Sequence, residues 1–154
     1  MAEQNFLAFD LGAESGRALL GKLSGGVLTL EEKHRFANPN GRINGHLHWN
    51  LLAQWEELKA GLKKSGGKLD GIGVDTWGVD FGLVGKGGLI LGNPYMYRDS
   101  RTDGMMEEAF KRVPREKVFE HTGIQFMQLN TLFQVVAMAK EKSPLLEMAE
   151  TLLF

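Results

Sequence analysis

An apolar run that ends in a carboxylate opens the chain and limits what it can fold into. Residues 6–9 read Phe-Leu-Ala-Phe, Asp10 follows, and Gly12 and Gly16 enclose a short segment before a second apolar run at residues 18–20. The pattern predicts a buried strand, a glycine-containing turn and a second strand. Burying a carboxylate at a strand end costs free energy unless a cation or hydrogen-bond donors meet it. Asp10 therefore indicates either a ligand site or an exposed turn.

The turn has the composition of a phosphate-binding loop. Gly12 and Gly16 permit positive φ angles and leave no Cβ in the way of a ligand, so that successive backbone N–H groups can point into one concavity. Ser15 adds a hydroxyl group, Arg17 adds a positive charge, and Asp10 is suited to a hydrated magnesium ion beside a phosphate. The alternative is an ordinary β-hairpin with an exposed Asp10, and this segment alone does not separate the two.

The composition indicates one soluble globular domain. The chain has 154 residues, 43% of them hydrophobic, and its net charge of −1 argues against nucleic acid or a membrane surface as a partner. It has no cysteine, which excludes disulfides and thiolate zinc sites. With no leader segment and no apolar run near the ~20 residues of a membrane span, we expect a cytoplasmic protein. The apolar residues 151–154 predict that the sequence stops inside a strand of a longer protein.

The order of apolar runs predicts an α/β fold with a mixed sheet flanked by helices. Strands are predicted near residues 6–9, 18–20, 27–36 and 72–74, with further short strands up to residue 91. Asn50 is predicted to cap a helix that has Trp55 in the core, and more helices follow residue 102. Residues 38–45 are predicted to form a polar loop.

Two histidines follow this loop at alternate positions. In an extended segment His46 and His48 could face one way and bind a metal ion. No third ligand of a suitable kind lies nearby in the sequence, so we do not assign a metal site to them.

The segment 71–84 places unusual chemistry after an apolar strand. Residues 72–74 lead into Asp75-Thr76-Trp77-Gly78-Val79-Asp80, with two carboxylates, an indole and a glycine within six residues. Ligands in open α/β sheets gather at strand ends, where an indole can pack on a sugar ring and carboxylates can bond to its hydroxyl groups. The alternative is a twisted hairpin in which Trp77 is core and the carboxylates cap turns.

Three segments together resemble the FGGY family of carbohydrate kinases. They are residues 9–17, 73–81 and 97–105, with weaker support from residues 34–36, 48–50 and 122–126. The resemblance covers essentially the whole chain. It implies an actin-like, RNase-H-like ATPase fold with two domains around a cleft. Residues 1–154 would then be an incomplete N-terminal, sugar-side domain, without the second domain.

The resemblance implies a nucleotide site at the first turn. Asp10 would hold Mg²⁺ through water, and the ATP phosphates would be wrapped by Ala13, Glu14, Ser15, Gly16 and Arg17. This subfamily more often has serine where this chain has Glu14. Because its charge would oppose a phosphate, the Glu14 side chain should point away from the turn.

The resemblance also implies a sugar site. Gly78 would line it, with Trp77, Asp80 and Arg98 nearby. Relatives that act on smaller polyols carry an arginine–glutamate pair where this chain has Gly78 and Val79. The loss of bulk and charge at Gly78 would make room for a deoxyketose with a methyl group.

The implied activity is ATP-dependent phosphorylation of L-rhamnulose at O1 in rhamnose catabolism. In this family the general base and the adenine pocket lie beyond Phe154, so we assign no catalytic base and expect the chain alone to be inactive. Its partners would be the sugar, MgATP and the remainder of its own kinase chain. The alternatives are a kinase of another ketose such as fuculose, a non-catalytic sugar-binding module, and an actin-like ATPase without a sugar substrate.

Overall fold

The structure is a computed structural model that describes residues 3–154. Within them the chain forms, in order, β1 (Gln4–Leu11), β2 (Ser15–Ser24), β3 (Val27–Ala37), β4 (Asn40–Ile43), β5 (His46–Trp49), α1 (Leu51–Ser65), β6 (Gly71–Asp75), β7 (Gly82–Gly85), β8 (Leu89–Ile90), α2 (Met105–Phe110), α3 (Arg115–Thr122), α4 (Thr131–Lys140), α5 (Leu145–Met148) and β9 (Ala149–Leu153). The chain divides into two compact units. One is Met1–Pro39 with Asn50–Trp77, and the other is Asn40–Trp49 with Gly78–Phe154.

A four-stranded mixed sheet forms the first unit. Its strand order is β3-β2-β1-β6, with antiparallel pairs except for the parallel pair of β1 and β6. Ile72 and Val74 of β6 are exposed, although the sequence predicted a buried strand. The reason is position: β6 lies at the sheet edge, whereas α1 packs on β1, β2 and β3. The predicted α/β fold with a mixed sheet and helices is confirmed.

Helix α1 begins where the sequence predicted, since the side-chain oxygen of Asn50 accepts a hydrogen bond from the backbone N–H of Ala53 at 3.1 Å. The face that it buries is different. Trp55, predicted to be core, is 56% exposed, and the helix buries Gln54 and Gly61 instead. A Cβ on Gly61 would come within 3 Å of the β1 and β2 side chains, so the glycine is what lets the helix lie close to the sheet.

The second unit begins with a β-hairpin where the sequence predicted a polar loop. Strands β4 and β5 pair in antiparallel register through residues 40–49. Asn44 and Gly45 connect them, with φ angles of 51° and 86°. A two-residue turn with both φ angles positive matches the right-handed twist of the flanking strands, which is why Asn-Gly favours hairpins.

The rest of the second unit packs helices around a three-stranded antiparallel sheet of order β8-β7-β9. Two apolar clusters form its core, one centred on Phe133 of α4 and the other on Phe81 and Met138. Strand β9 confirms the strand predicted at residues 151–154. Among the described residues, no helix is long and apolar enough to cross a membrane.

Candidate functional site

Asp10 and Arg17 stand directly opposite each other across the β1–β2 hairpin. Arg17 donates to the same carboxylate oxygen of Asp10, Oδ2, from both Nε at 2.8 Å and Nη2 at 2.7 Å. The Arg17 side chain is 44% exposed and the Asp10 side chain is 39% exposed. Arg17 thus supplies the cation that a carboxylate at a strand end needs, and the pair stays accessible to solvent.

The turn between these strands uses its glycines for close packing. Neither Gly12 nor Gly16 has a positive φ angle, although glycine permits one. A Cβ on Gly12 would lie 3.0 Å from the carbonyl oxygen of Ser15, and a Cβ on Gly16 would overlap the ring of Phe36. The backbone N–H of Gly12 donates to the carbonyl of Ser15 at 2.9 Å and closes the turn.

Two buried amides hold this turn, and the sequence did not reveal them. Asn38 donates from Nδ2 to the carbonyl of Gly12 at 2.7 Å, and from its backbone N–H to the carbonyl of Glu14 at 2.9 Å. Gln54 of α1 donates to Oδ1 of Asn38 at 2.7 Å. Amide side chains are mostly found at the surface, so no sequence pattern predicted that these two lie in the interior. Through them, α1 fixes the position of the turn.

Gly78 begins the second unit, with a φ angle of 66° that favours glycine. It lines a cavity of about 320 Å³, together with Val79 and side chains of α3, α4 and the segment between them, among them Ile124, Phe126 and Leu132. This lining is mainly apolar. Trp77 is half-buried and is the last residue of the first unit.

Asp80 is a buried carboxylate whose two oxygens both accept hydrogen bonds from the protein. Oδ2 accepts from Trp49 Nε1 at 2.6 Å and from the backbone N–H of Tyr97 at 3.1 Å. Oδ1 accepts from Gln134 Nε2 at 3.0 Å. The residue is only 7% exposed, and burial raises the pKa of its carboxyl group above the usual range. In this arrangement Asp80 joins three segments of the second unit.

Gln134 of α4 extends this network and is 1% exposed. Besides Asp80, its Nε2 contacts the carbonyls of Val79 at 3.1 Å and Leu129 at 2.9 Å. Thr131 also donates to the Val79 carbonyl, at 2.7 Å. The segment that follows Gly78 is therefore anchored to α4 by two side chains.

The two arginines after Tyr97 have different surroundings. Arg98 is exposed, and its guanidinium lies 5.5 Å from the ring centre of Tyr97. Arg101 is buried, lies 3.7 Å over the ring of Tyr95 and donates to Gln134 Oε1 at 2.7 Å. Burial lowers the pKa of Arg101. Arg98 thus lies at the surface, whereas Arg101 belongs to the interior network.

Comparison with known proteins shows what the chain is similar to. No family model matches the chain. A rhamnulokinase of Bacteroides thetaiotaomicron is 44% identical over 155 residues, and one of Pectobacterium atrosepticum is 42% identical over 158 residues. Each alignment covers 99% of this chain and 32% of the relative. A gluconate kinase structure from Lactobacillus acidophilus superposes with a TM-score of 0.80 at 13% identity, covering 99% of this chain and 31% of that one.

The chain is similar to sugar kinases in sequence and in fold, as its resemblance to the FGGY carbohydrate kinases predicted. It spans about a third of the length of the relatives that it matches. The actin-like fold expected from the three sequence segments is confirmed by the solved sugar-kinase structures. The roles of the individual site residues stay predictions.

The family resemblance predicts MgATP as a ligand, and the residues at the first turn suit it. Mg²⁺ binds through one or two carboxylates and keeps several waters, and Asp10 is an accessible carboxylate at a strand end. Within residues 3–154 no group of three or more histidine, aspartate or glutamate side chains could hold a metal. The ion would therefore rely on Asp10, water and the nucleotide phosphates.

The second unit has two buried carboxylates, Asp80 and Asp99, and we expect them to change the stability of the fold in opposite directions as the pH changes. Burial raises the pKa of Asp80. Burial would also raise the pKa of Asp99, but hydrogen bonds from the Leu47 N–H, His46 and the Arg101 N–H outweigh it and hold that pKa below the usual range. Asp99 therefore stabilises the fold above the unfolded value of ~3.9, and this contribution is lost as the pH falls through the lower folded pKa. The contribution of Asp80 to the stability of the fold is fully present below about pH 3.9. It is lost as the pH rises through the folded pKa of Asp80.

Asp99→Asn should therefore flatten the loss of stability at acidic pH. We expect its urea midpoint to change less than that of the wild type between about pH 5 and pH 2.5. Asp80→Asn is the matched variant, and it should steepen the rise in midpoint between about pH 4 and pH 6. Equal slopes for the wild type and Asp99→Asn would contradict the assignment.

Proposed function

We propose that this chain is the sugar-side part of an ATP-dependent kinase that phosphorylates L-rhamnulose at O1. The observation that carries the proposal is the similarity, along the whole chain, to proteins named rhamnulokinase. The chain spans about a third of the length of these proteins, so their kinase activity is proposed for the whole protein of which this chain would be a part. ATP as the phosphoryl donor fits a cytoplasmic location, which stays a prediction.

The nucleotide phosphates would bind at the turn between β1 and β2. Arg17 is accessible and positively charged, and the turn that precedes it is fixed by Asn38. Phosphoryl transfer depends on positioning and on neutralising charge, which a held turn with an arginine can provide. Since Arg17 donates to Oδ2 of Asp10, a phosphate that attracts Arg17 would release this oxygen. The bound magnesium ion would supply further neutralisation of the phosphate charge.

The ketose would bind beside Gly78. The cavity that Gly78 lines is mainly apolar, which suits the methyl group of a 6-deoxyketose better than a hydroxymethyl group. Arg98 is exposed in the same unit and would contact the sugar, and Trp77 stays a predicted sugar contact. The family resemblance placed Asp80 near the sugar. We propose a different role, because both carboxylate oxygens of Asp80 accept hydrogen bonds from the protein. We infer that it positions the segments of Gly78 and Arg98 and does not contact the sugar.

Isothermal titration of the 154-residue protein tests the proposal, with L-rhamnulose, L-fuculose and MgATP as ligands. We expect weak binding that prefers L-rhamnulose, and no turnover when the sugar and MgATP are combined. Preference for L-fuculose would indicate a kinase of that ketose. Sugar binding without any MgATP binding would favour a non-catalytic module.

The control is the folded state of the sample, measured by cooperative urea unfolding in the same buffer. If a cooperatively folded sample binds neither ketose, the sugar site assigned to Gly78 and Trp77 is wrong. If it binds MgATP alone, the chain is better described as an actin-like ATPase segment without a sugar site.

A further inference from the structure

We propose that His46 and His48 bind a first-row transition-metal dication, of the Ni²⁺ or Cu²⁺ type, through their Nε2 atoms. This site lies wholly in the second unit, on the hairpin formed by β4 and β5. It is independent of the kinase assignment and of the magnesium expected at Asp10. Nothing in the sugar or nucleotide sites described above uses these two histidines.

The two imidazoles project from the same side of β5. They occupy alternate positions of a strand, where side chains share a face and Cα atoms are about 6.7 Å apart. Both rings contact the ring of Tyr95. His48 packs on it with centroids 4.2 Å apart, and His46 meets it edge-on at 5.7 Å. A common neighbour on one side of the strand supports the common face.

Hydrogen bonds fix which ring nitrogen can bind a metal. Nδ1 of His46 lies 3.0 Å from Oδ1 of Asp99, and Nδ1 of His48 lies 3.0 Å from the backbone carbonyl oxygen of Asn93. An ionised carboxylate and a carbonyl only accept hydrogen bonds, so each Nδ1 must carry the proton. In the neutral form of each ring the lone pair is therefore on Nε2. Both histidines are in the tautomer that a metal ion requires at Nε2.

This arrangement matches the usual support of metal-binding histidines. Such histidines donate their second ring N–H to a carboxylate or a backbone carbonyl, which orients the ring and raises its basicity. His46 has the carboxylate and His48 has the carbonyl. Asp99 is held in turn by the backbone N–H groups of Leu47 and Arg101, at 2.6 Å and 3.0 Å. The rings are thus oriented without any metal.

The number of ligands selects the kind of metal. Among the described residues no third histidine, aspartate or glutamate completes a cluster, so water must fill the remaining positions. Two imidazoles with water suit the tetragonal geometry of Cu²⁺ and Ni²⁺ better than a closed tetrahedral zinc site. Mg²⁺ prefers oxygen ligands and should not bind here. The buried charge of Asp99 offsets part of the added positive charge, while Arg101, which lies over the Tyr95 ring that both histidines contact, opposes it.

The test is titration of the untagged protein with Ni²⁺, with Mg²⁺ as the comparison ion. We expect one equivalent of Ni²⁺ to bind, and His46→Asn and His48→Asn each to weaken that binding on the order of tenfold or more. His121→Asn is the matched control, because it removes an exposed histidine elsewhere in the second unit. It should leave the affinity unchanged.

Two further measurements keep the outcome decisive. Thermal unfolding without metal shows whether each variant is folded, and the Cu²⁺ form should give an electron paramagnetic resonance spectrum with two coordinated nitrogens. The proposal is overturned if Ni²⁺ does not bind, or if it binds the folded His46→Asn and His48→Asn variants as tightly as the wild type. Equal weakening by His121→Asn would also overturn it, because that result indicates nonspecific histidine binding.

Discussion

Replacing Asp80 with leucine should lower the free energy of unfolding by about 3–5 kcal/mol, because it takes an acceptor away from three buried donors, at about 1–3 kcal/mol each. Trp49 Nε1, the Tyr97 N–H and Gln134 Nε2 would each lose an acceptor in the interior. The buried guanidinium of Arg101 would lose a nearby negative charge. Urea unfolding at about pH 7, followed by circular dichroism, measures the change.

Asp75→Leu is the matched control, since it makes the same change at an exposed carboxylate at the end of β6. Its effect should stay within ~0.5 kcal/mol. A loss below about 1 kcal/mol for Asp80→Leu would show that the three hydrogen bonds contribute little in solution. The positioning role proposed for Asp80 would then have no energetic basis.

Replacing Gly78 with arginine should weaken L-rhamnulose binding about 100-fold or more, which corresponds to ~2.7 kcal/mol. The proposed sugar position lies beside Gly78, and a guanidinium there adds both bulk and charge to a mainly apolar cavity. This expectation rests on the proposed function. Isothermal titration of the variant, beside the wild type, measures the loss.

Gly78→Ala separates the side-chain effect from the backbone effect. The φ angle of 66° strains any other residue by roughly 1–2 kcal/mol, and both variants share this cost in stability. A Cβ at this position would meet no heavy atom within 4 Å, so alanine adds no clash. We expect it to retain most of the affinity. If Gly78→Arg binds L-rhamnulose as tightly as Gly78→Ala, the sugar does not lie beside residue 78.

Short sequence patterns correctly predicted the strands and helix ends that depend on neighbouring residues alone. The strand ending at Asp10, the cap at Asn50 and the strand near the C-terminus are all present. The hairpin at residues 40–49 was missed, although Asn44 and Gly45 form a turn typical of hairpins. Its strands have four residues each and are largely polar, so no apolar alternation marked them.

Which face of a helix becomes buried depends on its neighbours. The leucines and Trp55 of α1 suggested one face, but Gly61 allows the closest approach to the sheet and Gln54 finds a buried partner in Asn38. The same holds for Gln134 on α4, whose partners come from segments more than 30 residues away as well as from the adjacent loop. Periodicity alone does not contain these contacts.

The sequence by itself determined the resemblance to a kinase family, the α/β fold and the two segments where ligands are expected, because each depends on short runs of residue types. Only the tertiary structure decided that Arg17 neutralises Asp10, that Asp80 is an interior anchor and that Asp99 orients His46. The physical reason is that a polar side chain takes its role from its partners and its burial. Those are set by residues distant in the chain, and a motif read in isolation does not include them.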